Sequence, residues 1–256
     1  MNKLVADLQA EQEALHRFLI TLRADQWDLP SPAEGWSIKD SVIHIAFIDE
    51  VAVSVLRGDT TPLDDAKPIG VDRYNTASLA KGRSLKPAEV LPWWQSVRTE
   101  MNTGLLNCEP QRRIPWFAMP MGARSFATAR LMETWAHGLD CFDTVGAAPE
   151  DTDRLRRIAL LAYMARSYAY QVNRLQVPST PFRLELVLPS GTLWSQGDAG
   201  AKDLIRGRAS DFCRVAVRRR HWRDTDLYIE GDEARRFIEI VQAYAGSPGS
   251  GRKPQK

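Results

Sequence analysis

His44, in the stretch GWSIKDSVIHIAFIDE, and Glu133 with His137, in LMETWAHGLDCFD, are the side chains whose types and spacing could do chemistry. Residues four apart on a helix project from one face about 6 Å apart, so Glu133 and His137 can converge on one ion. With His44 supplied by a second helix, the set amounts to three metal ligands and leaves a coordination position for water or substrate. Neutral imidazoles and a carboxylate suit zinc, with nickel, iron and manganese as the other divalent ions such a set accepts. Taken singly the signals are weak. E-x-x-x-H recurs on many helices as an exposed acid beside a hydrogen-bonded histidine, and a histidine near a bundle interior often bonds a backbone carbonyl. Together they carry more, because an ionised glutamate projected into a core is costly unless it is paired or coordinated.

Other candidates flank these three. Asp140 lies three residues after His137 and is placed to hold its second ring nitrogen, against the alternative of a solvated helix acid. Asp40 is explained by helix capping. Cys141 is expected as a small buried apolar group, His16 at a surface or boundary, and His221 lacks a carboxylate at ligand spacing. Trp116, Phe117, Met119 and Met121 could wall a pocket or belong to the core. Arg124 and Arg130 could grip substrate carboxylates or be solvated. No side chain is assigned as catalytic beyond the metal ligands.

These residues must be held by helices. Leu4, Leu8, Leu15, Phe18, Leu19 and Leu22 form one stripe, predicting a helix over 3–23. Ser37 and Asp40 mark the start of a second, carrying His44 and stopped by Gly58. Residues 59–84 are polar and punctuated by Gly and Pro, and read as a long loop. A third helix opens near Pro87, with Pro92 as a kink or true start. Ser125 is expected to cap a fourth, bearing Glu133 and His137, and a fifth helical segment spans about 153–173.

The pattern changes at LQVPSTPF. FRLELVL alternates at period two and turns through PSG into TLWSQ, a hairpin signature. AKDLIRG and SDFCRVAVRR read as helical, DLYIEG as a strand, and DEARRFIEIVQAYA as a closing amphipathic helix. The expected architecture is mainly α: an up-and-down bundle over 1–175, a small α+β domain over 182–245, and a disordered tail over 246–256.

The chain resembles the DinB-like superfamily, and within it the branch of mycothiol-dependent maleylpyruvate isomerases and related actinobacterial proteins. GWSIKDSVIHIAFIDE and RLMETWAHGLDCFD carry the likeness, which covers most of the first 170 residues. It implies that His44, Glu133 and His137 are metal ligands and that a low-molecular-weight thiol such as mycothiol is the cosubstrate. The implied activity is a metal- and thiol-dependent transferase or isomerase acting on a small electrophile. The carboxy-terminal segment is more loosely similar to small domains of sterol-carrier or wybutosine-synthesis type. Two other readings stand beside the enzyme: a non-enzymatic metal- or ligand-binding module, and an RNA-associated factor acting through the second domain and its RRRHWR run.

Composition narrows the partners. With 34 Lys and Arg against 32 Asp and Glu, the net charge of +2 offers no global field for nucleic acid or an acidic membrane. The charged amino terminus has no signal-peptide core, and no stretch approaches the ~20 apolar residues of a bilayer span. A cytoplasmic protein without membrane contact is expected. Cys108, Cys141 and Cys213, odd in number and far apart, are expected as reduced thiols.

Overall fold

The structure is a computed structural model and describes residues 1–117 and 119–255. The chain divides into two compact units, Met1–Pro149 and Glu150–Lys256. The division falls after Pro149 instead of near residue 175. The helices that follow it, α7 (Leu155–Met164) and α8 (Arg166–Val172), pack on elements of the second unit.

The first unit is built from four long helices: α1 (Asn2–Leu19), α2 (Ile38–Arg57), α5 (Pro87–Leu106) and α6 (Ala123–Thr144). Helix α1 lies against α5 and α6, and α2 lies against the same two, giving a four-helix arrangement. Helix α1 buries Leu4, Leu8, Leu15 and Leu19 as its apolar stripe requires, and ends four residues early. Helix α2 starts where the sequence says it should. Ser37 Oγ accepts the Asp40 N–H at 3.1 Å while Asp40 Oδ2 accepts the Ser37 N–H at 3.0 Å, and Gly58 leaves the helix in the left-handed conformation at φ 94°. Ile38, Val42, Ile43, Ile45 and Ala46 of α2 join Leu15, Leu19 and Trp94 in one apolar cluster. Each fully buried branched side chain there contributes about 1.5–3 kcal/mol relative to exposure.

The expected loop over 59–84 is instead two short helices, α3 (Thr61–Ala66) and α4 (Val71–Gly82). The reason is the thinness of their apolar face: α4 buries only Ser78, Leu79 and Gly82. Gly82 earns its place by close approach, since a Cβ there would stand 2.6 Å from Ile43. Pro87 occupies the first turn of α5, and Pro92 lies within the helix. A two-residue ladder, β1 (Arg113–Ile114) with β2 (Met121–Gly122), leads into α6, which begins after Gly122 and not after Ser125.

In the second unit, the segment expected as one helix over 153–173 breaks at Ala165 into α7 and α8. The predicted hairpin is present as β3 (Phe182–Val187) antiparallel to β4 (Leu193–Gly197). AKDLIRG, expected as helical, is instead strand β5 (Asp203–Arg208), parallel to β3. Its burial alternates at first, Asp203 in and Ile205 in around a half-buried Leu204, the period of a strand. Helix α9 (Ala209–Ala216), strand β6 (Tyr228–Glu230) and helix α10 (Asp232–Ile240) complete an α+β unit with sheet order β4-β3-β5-β6. Phe182, Leu184, Leu186 and Ile205 form its buried face. The described residues 246–255 hold no regular element; Gly246 donates its N–H to Tyr168 Oη and Gln255 to Asp224.

Among the described residues, no helix is long and apolar enough to cross a membrane.

Candidate metal centre

Helix α2 carries His44 near its middle and α6 carries Glu133 and His137 one turn apart, so the packing of these two helices decides whether the three meet. They do. One donor atom from each lies within 4.8 Å of the others, and among the described residues this is the one cluster of histidine, cysteine and acidic groups with that geometry. The His44 and His137 ring centroids are 4.8 Å apart, and His137 Nε2 stands 3.5 Å from Glu133 Oε2. Two ligands of one tetrahedral ion, bound at roughly 2.1 Å, lie about 3.4 Å apart, so the Glu133–His137 edge already has that spacing.

The electrostatics suit a cation. Burial alone would raise the Glu133 carboxyl, but the hydrogen bond and charge of His137, then Arg130 and His44, outweigh it and hold the group at about 2. Glu133 is therefore anionic at neutral pH. Its side chain keeps 23% of its surface exposed against 11% for His137, so Glu133 is the less enclosed of these two donors. The set has three members and no fourth protein ligand among the described residues. It thus fits a divalent ion by donor type, spacing and charge, with a position left over.

Around the donors, Asp140 Oδ2 stands 3.8 Å from His137 Nδ1, on the far side of the ring from Glu133. That is the side from which an acid could orient the imidazole, at a separation still too long for a hydrogen bond. Trp36 lies parallel to His137, with centroids 5.6 Å apart and 10° between planes, and meets His44 edge-on at 5.1 Å. Sequence reasoning passed over Trp36 although it sits inside the GWS motif.

Arg130 is neither solvated nor free for substrate. It is buried, with Nε 3.0 Å from Asp49 Oδ1, and Trp94 Nε1 donates to the other oxygen at 3.3 Å. Asp49 was also missed; its signal was the acidic pair Asp49–Glu50 within IAFIDEVAV, a run otherwise apolar. Arg124 is exposed. Cys141 is fully buried in the apolar cluster, as expected. His16 is half-buried on α1, and His221 lies in the second unit, where Nδ1 accepts the Arg223 N–H. The RRRHWR run has its guanidinium groups largely engaged: Arg218 on Glu239 O, Arg219 on Val217 O, Arg220 facing Asp211, and Arg223 over the Trp222 ring.

A four-helix bundle with a two-histidine, one-glutamate donor set, joined to a small α+β unit, defines the class. Residues 8–142 match the family described as the mycothiol maleylpyruvate isomerase N-terminal domain, and the chain belongs to that family. Two proteins from strains of Mycobacterium tuberculosis, both described as uncharacterized, are each 40% identical over 253 residues, covering 97% of this chain and 97% of theirs. The fold is that of mycothiol-dependent maleylpyruvate isomerase. Crystal structures of that enzyme and of a histidine-to-alanine mutant superpose with TM-scores of 0.57 and 0.58 at 16% identity, over 85% of this chain and 89% of theirs.

Proposed function

We propose that this chain is a metal-dependent enzyme that uses a low-molecular-weight thiol of the mycothiol type to transfer to, or isomerise, a small electrophilic substrate. The observation that carries the reading is the three-member donor set, with the Glu133 side chain partly exposed and no fourth protein ligand among the described residues. A site built only for structure is closed by four protein ligands, whereas a catalytic one keeps a position open. His44, Glu133 and His137 would hold the ion, zinc being the best match to two imidazoles and a carboxylate. When bound, such an ion supplies a Lewis acid that lowers a thiol's pKa and so favours thiolate near neutral pH.

The rest of the task falls to the protein's own groups. Asp140 faces His137 Nδ1 and would fix the ring so that Nε2 points into the site. Trp36 covers both imidazoles and limits water on that side. In the transfer reaction the thiolate sulfur forms a bond to an electrophilic carbon and the leaving group departs with its electron pair. In the isomerisation the sulfur adds to one carbon of a double bond, the remaining single bond rotates, and expulsion of the thiolate restores the double bond.

The test is metal analysis of purified protein, then titration of the cobalt-substituted form with mycothiol. A stoichiometric ion and a new sulfur-to-cobalt charge-transfer band are expected. A fully loaded protein whose cobalt spectrum ignores mycothiol and other small thiols would sink the enzyme reading and leave a metal-binding module.

A further inference from the structure

We infer that the substrate side of this centre accepts an electrophile with an aromatic or otherwise apolar body, held against a wall of rings, in preference to a compact dicarboxylate. The inference deepens the thiol-dependent reading and rests on it. Its basis is what lies along α2 and α6 beyond the donors. Phe47 is one turn past His44, and Phe126 is two turns before Glu133 on the same face of α6. Between them runs a continuous series of rings: Phe47 to Tyr74 at 5.5 Å, Tyr74 to Phe117 at 5.7 Å, Phe117 to Trp116 at 4.8 Å, and Trp116 edge-on to Phe126 at 4.8 Å.

Only Phe126 of these five is fully buried. Phe47, Tyr74, Trp116 and Phe117 are half-buried, so each keeps part of its surface outside the packed core. A series of rings beside a polar reaction centre is the composition of a small-molecule pocket, apolar walls with a few convergent polar groups. Partly uncovered rings gain from stacking on another ring.

Charge points the same way. A dicarboxylate asks for guanidinium or ammonium partners; Arg73 and Arg124 stand exposed at the outer end of the ring series, and the cations nearer the donors are engaged elsewhere. Arg130, one turn before Glu133, is spent on Asp49, Arg83 on Asp40, and Lys81 on Glu50. Arg112 donates to the carbonyls of Val55 and Leu56, and Arg113 to that of Pro120.

The experiment uses two thioether conjugates of mycothiol, S-benzyl and S-succinyl, titrated calorimetrically into the full-length, zinc-loaded protein. The thiol portion is common to both, so their difference reports the electrophile's side of the site. The benzyl conjugate is expected to bind roughly tenfold more tightly or better. Phe117→Ala is expected to erase most of that preference, lowering the benzyl affinity several-fold more than the succinyl affinity. Phe117→Leu, which keeps apolar volume but removes the ring, should lose part of it. Zinc content, measured in each variant, confirms that the centre has formed. Equal or tighter binding of the succinyl conjugate overturns the inference and leaves the thiol reading intact, as does a benzyl affinity unmoved by both Phe117 variants. Failure of both conjugates to bind a zinc-loaded protein overturns the thiol reading itself, and the inference with it.

Discussion

Helices α2 and α6 enclose two polar centres a turn or so apart, and their compositions differ in kind. At Asp49 and Arg130 an anion meets a cation: the ion pair is at 2.9 Å with 0% and 4% of the two side chains exposed. Trp94 donates to the same carboxylate, and Arg98 lies over the Trp94 ring, 4.6 Å from its centroid, with its Nη1 donating to Gln12 O at 2.7 Å. Burial pushes the Asp49 carboxyl up, against the pull of Arg130, Trp94 and Arg98. At His44, Glu133 and His137 the cluster is one carboxylate and two imidazoles, groups that can each offer a lone pair to an ion, with no arginine or lysine among them. The first centre closes on itself with groups of the chain; the second is the one whose donor types and spacing could take an added positive ion. A buried charge reveals its purpose by whether its counter-charge is covalently part of the protein.

The widest break in that comparison comes from Glu133→Gln. The substitution keeps the shape and removes the one anionic donor, so bound metal should fall from stoichiometric to background in elemental analysis. Full retention of metal would show that the cluster does not act as a ligand set. At the other centre, Asp49→Leu leaves Arg130 buried and unpaired and should cost about 3–5 kcal/mol in urea unfolding. Adding Arg130→Met replaces the whole pair by apolar groups and should recover most of that loss, since such exchanges are often neutral. Both variants should keep their metal. Metal loss in the refolded double variant would mean that Arg130 helps hold Glu133, merging the two centres into one.

The two centres also differed in how far they could be read from sequence. His44, Glu133 and His137 were legible because ligand types are few and the i, i+4 spacing is geometric, whereas Asp49 and Arg130 belong to types that usually sit in water. Ser37, Asp40 and Gly58 announced the ends of α2 through capping chemistry that is local. Helices α3 and α4 were illegible because little of their surface is apolar, and AKDLIRG because a short apolar core flanked by charge suits either period. Its strand is decided by pairing to β3, a contact distant in sequence. The break between α7 and α8 had no proline or glycine to mark it.

Asp140 sharpens the contrast within the metal centre. If it orients His137 through Nδ1, Asp140→Ala should weaken metal binding about 10–100-fold, measured by competition with a chromogenic chelator, without abolishing it. Among the described residues His137 Nδ1 has no hydrogen-bond partner, and it lies 3.8 Å from Asp140, so the bond would form only as the ring settles on an ion. An affinity equal to that of the unchanged protein would reduce Asp140 to a helix acid and leave the imidazole held by packing against Trp36 alone.

The smallest effect is expected where a pair is half in water. Asp40 accepts the Ser37 N–H and two bonds from Arg83, at 2.8 and 3.1 Å, but the Arg83 side chain is 52% exposed. Burial alone would raise the Asp40 carboxyl; the Arg83 hydrogen bond, Ser37 and the Arg83 charge together bring it below the usual carboxylate range. A carboxyl lowered on folding adds stability that is fully present above its unfolded pKa of about 3.9 and is lost as pH falls through the folded value. Asp40→Asn should therefore cost about 1 kcal/mol at neutral pH, the scale of a lost cap interaction. It should also flatten the acid limb of the stability curve below about pH 4. Equal slopes for the two proteins in that window, measured by denaturant unfolding at successive pH values, would show that solvent screening cancels the Arg83 contact. The fully enclosed Asp49–Arg130 pair would then differ from the Asp40–Arg83 pair in energy as well as in burial.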